Sequence, residues 1–260
     1  MRLFDRFPAR YLAPNGVTCI GLTLGLLSIR TSLTASTLPQ LEGAAWLILY
    51  AVLLDKADGA IARRLNASSE FGVQLDSFSD FVTFGICPAA LITQAVALGA
   101  PEPWARGTPH LALLGLGAVY VLCAAIRLAK FNVTTASVGT RFFLGLPSTS
   151  SGGLLASAFL AHQANGLDAA TLPAFVAFMA LNAALMVSNL PQPKLHISAQ
   201  PAVKAFQLLT VLSVYVLVPL HRAPTYLIAI SGLYTLGGFI YGLKVTRGRH
   251  PADVEPAPAP

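Results

Sequence analysis

Acidic side chains are scarce in this chain, eleven Asp and Glu among 260 residues, and charged residues of both signs make up only 11% of it. An ordinary water-soluble domain carries about 25% charged residues, so that surface is excluded here. Cysteine is nearly absent. Cys19, Cys87 and Cys123 fall in apolar runs, without the clustering of a disulfide framework or the spacing of a thiolate metal site, and read as packing residues. What the chain has in quantity is apolar side chains, 55% of the total, which points to a multispanning membrane protein.

A helix rises about 1.5 Å per residue and the hydrocarbon layer is about 30 Å thick, so runs of roughly 20 apolar residues predict spans. Eight such runs are legible, at 15–36, 43–62, 76–98, 110–130, 147–163, 168–190, 203–220 and 224–243. Eight spans place both termini on one side. That side carries Arg2, Arg6, Arg10, Arg63, Arg64, Arg127, Lys130, Arg141, Lys194, Lys204, Lys244, Arg247 and Arg249, against Arg106 and Arg222 opposite, and is expected to face the cytoplasm of a cell membrane. The net charge of +6 is then a topology signal that also favours anionic headgroups, rather than a nucleic-acid footprint.

Residues 1–14 mix Leu3, Phe4, Phe7 and Tyr11 with arginines, which suits either an interfacial helix or a solvated basic tail. Residues 246–260 end in a Pro- and Ala-rich stretch that cannot bury an apolar face and are expected to be disordered on the cytoplasmic side. Gly238 and Gly242 are four apart in the last span, a spacing that permits close helix approach in a dimer.

Against this background the acids are concentrated. Asp55, Asp58, Asp76 and Asp80 lie within 26 positions, at the end of the second predicted span and the start of the third. An Asp at a helix centre in lipid costs about 2.5 to 3.5 kcal/mol, so chance placement is a poor account of four. Spacings of three and four put each pair on one helix face. Two such faces meeting bring four carboxylates together; at about 4 Å and an effective dielectric near 20 each like-charge contact costs roughly 4 kcal/mol, which protonation or bound cations must relieve. All-oxygen ligation favours Mg²⁺ or Mn²⁺. Gly59 and Gly72 allow a ligand near the backbone, and the Arg63 fork suits phosphate oxygens.

These residues carry a resemblance. Asp55-x-x-Asp58-Gly59-x-x-Ala62-Arg63, eight residues, then Gly72-x-x-x-Asp76-x-x-x-Asp80 resembles the CDP-alcohol phosphotransferase signature at every fixed position. The resemblance implies an all-α membrane enzyme with a six-helix core, here residues 15–194, usually dimeric, and two additional transmembrane helices at 195–245. It implies two divalent cations on Asp55, Asp58, Asp76 and Asp80, with Asp80 also the proton acceptor. Gly59, Ala62, Arg63, Ser69, Gly72, Asn15 and Thr18 are implied to border the CDP group of a CDP-diacylglycerol donor.

Two further segments, Ile126-Arg127-Leu128-Ala129-Lys130-Phe131-Asn132 and Phe143-Leu144-Gly145-Leu146-Pro147-Ser148, resemble stretches of the serine-using branch of the family. Arg127, Lys130, Asn132 and Arg141 are the residues expected to bind the acceptor, with the cations suited to the carboxylate of serine. Lys130 stands where that branch usually has Arg. Choline is the nearest competing acceptor, with Phe131 and Phe143 among the aromatic faces it would need. Glycerol 3-phosphate and inositol phosphate are others. A cation transporter or noncatalytic scaffold is the reading from a different class, and it would place polar residues at the bilayer midplane rather than towards one surface.

Overall fold

A computed structural model describes residues 11–67, 69–100, 104–134, 142–194 and 200–246. The first ten residues of the expected segment 1–14, the tail beyond Thr246 and Arg141 lie outside the described residues. Among the described residues eight helical rods follow one another: α1 (Leu12–Thr34), α2 (Leu38–Arg64), the broken rod α3 (Glu70–Asp80) and α4 (Cys87–Gly99), α5 (Gly107–Thr134), α6 (Ser148–Ala164), α7 (Ala174–Val187), α8 (Pro201–Leu217) and α9 (Pro224–Val245). Five are long and apolar enough to cross a membrane, namely α1, the α3–α4 rod, α5, the helix ending in α7, and α9. α2 has the length but carries the charged cluster, while α6 and α8 have 17 residues each. Leu26, Leu122, Ile126, Leu209, Leu233 and Ile240 point outward and are more than half exposed, a surface suited to lipid rather than water.

Prolines start three of these rods. Pro39, Pro201 and Pro224 occupy first-turn positions, where the missing N–H would have had no helical partner. Pro88 lies within the third rod, where it removes the N–H that would have reached the Phe84 carbonyl. α1 begins at Leu12, so Pro14 and Asn15 lie inside its first turn rather than before it. Arg30, near the far end of α1, adds a cation on the side opposite the acidic cluster.

The third rod changes register. Between α3 and α4, Phe81–Ile86 is a π-helical turn, in which the Cys87 N–H reaches back to the Val82 carbonyl. Such turns free backbone carbonyls and recur at functional sites. Here the Tyr120 hydroxyl donates to the Phe84 carbonyl at 3.1 Å and meets Ser151 Oγ at 2.9 Å. Gly152 of α6 leaves the space Phe84 occupies; a Cβ there would stand 3.1 Å from its ring.

A two-stranded antiparallel ladder was not anticipated from the sequence. β1 (Phe142–Leu144) pairs with β2 (Pro191–Pro193), joining the connection before α6 to the one after α7. α9 packs against β2: Gly238 faces Gln192, and a Cβ at Gly242 would overlap the Pro191 carbonyl. The two glycines that suggested a dimer contact are thus used within the chain.

Gly145 closes β1 with φ +79, and a Cβ there would lie 2.5 to 3.0 Å from the carbonyl oxygens of Met186, Ser188 and Leu185. Gly145→Ala is therefore expected to destabilise the fold by at least the 1–3 kcal/mol, roughly, of a strained left-handed residue. A lowered thermal unfolding midpoint in detergent checks it.

Candidate active site

α1, α2 and α3 converge at the end of the bundle where the acids lie, and α1 packs along both of the others. α3 is held there by Ser69, whose Oγ accepts the Gly72 N–H at 3.0 Å as an N-cap. Gly72 has no side chain because α1 comes close: a Cβ would stand 3.1 Å from Asn15 Oδ1.

Asp55 of α2 and Asp76 and Asp80 of α3 each present a carboxylate oxygen, all within 4.8 Å of one another. Asp58, also buried, is not in that trio. Its Oδ2 accepts the Thr18 hydroxyl at 2.8 Å, one helical turn along α2 from Asp55. Oxygen-only donors crowded at this distance fit a hard divalent cation. All four acids line one narrow cavity that also contains Thr18, Ser79 and Thr83.

Next to it is a larger pocket of about 190 Å³ lined by Asn15, Thr18, Gly59, Ala62, Arg63, Ser69 and Gly72, together with Asp58 and Asp76. Every residue expected to border the CDP group lines this one pocket. Gly59 serves Arg63 directly, since a Cβ there would sit 3.4 Å from the guanidinium. The two cavities share Thr18, Asp58 and Asp76, so a nucleotide in the larger one lies against the acids.

The expected acceptor residues separate. Arg127 is 7% exposed, donates to Ser148 Oγ at 2.9 Å, lies 5.2 Å from the Phe131 ring centroid and attracts the carboxylates of Asp80 and Asp55. Asn132 Nδ2 donates to Ser77 Oγ at 2.9 Å, next in sequence to Asp76. Lys130 turns away and bonds Asn189 Oδ1 at 2.5 Å.

Sequence reasoning missed three residues. Lys56 forms an ion pair with Asp55 at 2.9 Å; its neighbour in the sequence was the available signal. Ser79 donates to the Thr18 carbonyl at 3.4 Å, tying α3 to α1 beside Asp80. Thr83 is 1% exposed with its hydroxyl unpartnered. Thr18, Thr23, Thr31 and Thr93 each bond the carbonyl four residues back, a bond Thr83 does not make in its π-helical turn.

Residues 11–236 match the family model described as CDP-alcohol phosphatidyltransferase. The chain belongs to that family. The match reaches through α8 and into α9. Among curated relatives of the CDP-alcohol phosphatidyltransferases, a Helicobacter pylori protein named CDP-diacylglycerol--serine O-phosphatidyltransferase is 31% identical over 234 residues, 88% of this chain and 90% of its own length. A Mycobacterium tuberculosis protein of the same name is 29% identical over 209 residues, covering 78% of this chain and 68% of its own. A Methanothermobacter thermautotrophicus protein named archaetidylserine synthase is 32% identical over 183 residues, 70% of this chain and 69% of its own. This family member is a multi-pass membrane transferase of phospholipid synthesis, with an acidic group able to hold a divalent cation.

Proposed function

We propose that the protein transfers the phosphatidyl group of CDP-diacylglycerol to the hydroxyl of serine and releases CMP. The observation that carries the choice of acceptor is Arg127, a cation buried inside the bundle and held by Ser148. It suits an acceptor with a carboxylate and would repel one that is only cationic. Two of the aromatic faces open to choline are engaged by this chain's own cations: Arg127 lies over Phe131, and Lys194 Nζ is 5.0 Å from the Phe143 centroid. The names of the three relatives, two alike and one for a different lipid, agree on serine.

In this mechanism the CDP group occupies the pocket of Gly59, Arg63 and Gly72, where the Arg63 fork meets phosphate oxygens. Asp55, Asp76 and Asp80, with Asp58 behind Asp55, would hold two Mg²⁺ or Mn²⁺ ions, which when bound neutralise the diphosphate and its leaving group. Arg127 orients the serine carboxylate, and Asp80 accepts the hydroxyl proton. The serine oxygen then forms a bond to the lipid-side phosphorus as the bond to the CMP oxygen breaks, and CMP departs with that electron pair. The excess of Lys and Arg at the rod ends nearest the acids supports a site that faces the cytoplasm from a cell membrane.

The test is CMP release in detergent from CDP-diacylglycerol with Mg²⁺ or Mn²⁺, offering serine, choline, glycerol 3-phosphate and inositol phosphate separately. Serine is expected to drive release, EDTA to stop it, and excess Mn²⁺ to restore it. Faster release with choline would overturn the acceptor, and no release with any of the four would overturn the reaction.

A further inference from the structure

On the other side of α2 from the nucleotide pocket lies a cavity of about 270 Å³ between α2, α6, α8 and α9. It exists because α8 stands off: this helix has no buried residue and approaches its neighbours only loosely. Side-chain ties to α2 and α9 hold it there, among them the Ser213 and Tyr226 hydroxyls at 2.8 Å. Tyr215 donates its hydroxyl to the Leu53 carbonyl at 3.1 Å, and His221 beyond α8 stacks on Trp46 with centroids 4.6 Å apart.

The cavity is an elongated slot with unlike ends. Leu49 to Lys56 on α2 and Leu227 to Thr235 on α9 are stretches of eight and nine residues, so the slot follows the helices for about 10 to 12 Å. Lys56, Tyr234 and Thr235 are at one end. Leu49, Val218 and Leu227 form the other, and between them Val52, Val214 and Ile230 keep the walls apolar.

Resting on the phosphatidyltransferase reading, we propose that this slot seats one acyl chain of the CDP-lipid donor, with its ester carbonyl at Thr235. Three cavities then occur in the order of the donor's own parts. The nucleotide pocket shares Asp58 and Asp76 with the acidic cavity, and the acidic cavity reaches the slot through Asp55, whose carboxylate is 2.9 Å from the Lys56 ammonium at the polar end. Nucleotide, diphosphate and hydrocarbon are thereby met in turn.

Thr235 is the independent observation. It lines the slot, is 5% exposed, and its hydroxyl has no partner, whereas Ser231 and Thr246 on the same helix bond the carbonyl four residues back. A buried hydroxyl without a partner is costly in an apolar setting, and a lipid ester carbonyl is the acceptor that would relieve it. Because α8 and α9 supply one wall and this hydroxyl, the last two helices become part of donor binding.

The test fills the slot and varies the donor. Ile230→Trp and Val214→Trp are expected to raise KM for a long-chain CDP-diacylglycerol on the order of tenfold, with kcat retained and with kcat/KM for a dibutyryl donor, too short to reach the slot, unchanged. Thr235→Val is expected to raise KM for the ester-linked donor severalfold, and to leave KM for a dialkyl ether donor, which has no carbonyl, at its wild-type value. Unchanged KM for the long-chain donor in both Trp variants, or equal loss with both chain lengths, overturns the proposal. Should wild-type protein release no CMP from either donor, the transferase reading fails by itself. Native mass spectrometry then decides on the slot: a diacyl lipid retained by wild type and lost in Ile230→Trp supports it, and equal retention overturns it.

Discussion

Asp80→Asn is expected to lower kcat for CMP release by on the order of 10²- to 10⁴-fold, the range for loss of a positioned general base. Asp80 is 8% exposed and shares the trio with Asp55 and Asp76, so the amide fits the same space but neither accepts the serine proton nor supplies a charged ligand. The acid limb of the kcat profile, which reports the base losing its proton as pH rises, should vanish in the variant. Stability should move the other way. At 4.8 Å and an effective dielectric near 20, each pair of ionised carboxylates repels by about 3.5 kcal/mol. Removing one charge relieves two such contacts where all three acids are ionised, so with EDTA present and at alkaline pH Asp80→Asn is expected to unfold at a higher temperature than wild type, a gap that closes as the pH falls and the acids take up protons. Added Mn²⁺ should stabilise wild type more than the variant, because binding to the folded state alone shifts the midpoint. Near-normal turnover with Mn²⁺ would remove Asp80 from the mechanism, and a lower midpoint in EDTA would mean the acids are not in electrostatic conflict.

The positions of these acids were legible because they depend on local periodicity. A spacing of three or four on a helix fixes a shared face whatever surrounds it, and Asp55, Asp76 and Asp80 meet accordingly. The rods were legible for a similar reason, since run length in lipid is set by thickness; the eight predicted runs overlap α1 to α9 in order, with the largest offsets, about six residues, at the starts of the third rod and of α7. That rod begins at Glu70, six residues before Asp76, so the acids lie inside it rather than at its start.

Features set by contacts distant in sequence were not legible. The π-helical turn at Phe81–Ile86 has one local signal, Pro88, which deprives the Phe84 carbonyl of its donor four residues on; the Tyr120 hydroxyl that bonds this carbonyl and Gly152, which makes room, have no local pattern. Pro191-Gln192-Pro193 reads as a turn by composition, because proline donates nothing to a ladder, yet it pairs with Phe142–Leu144 through the bonds that remain. Gly238 and Gly242 showed that close approach was needed without saying to what. Lys130 and Arg127 looked equivalent on one helix, and only the fold turns the first to Asn189 and the second inward.

That divergence sets the second large effect. Arg127→Gln is expected to lower kcat/KM for serine by on the order of 10²-fold, since truncating one member of a buried charged contact costs about 2–5 kcal/mol. The loss should fall on the serine KM, with the KM for CDP-diacylglycerol little changed, because Arg127 is absent from the nucleotide pocket and bonds Ser148 of α6. Arg127→Lys keeps the charge without the planar fork and should recover part of the loss. Lys130→Gln, with its ammonium directed to Asn189, should cost far less. The same logic makes ethanolamine, which is serine without its carboxylate, a poor acceptor for wild type and one that Arg127→Gln discriminates against less. Equal rises in both KM values would instead assign Arg127 to the diphosphate and its cations, through its attraction to Asp80 and Asp55, and would leave the serine carboxylate to be bound elsewhere.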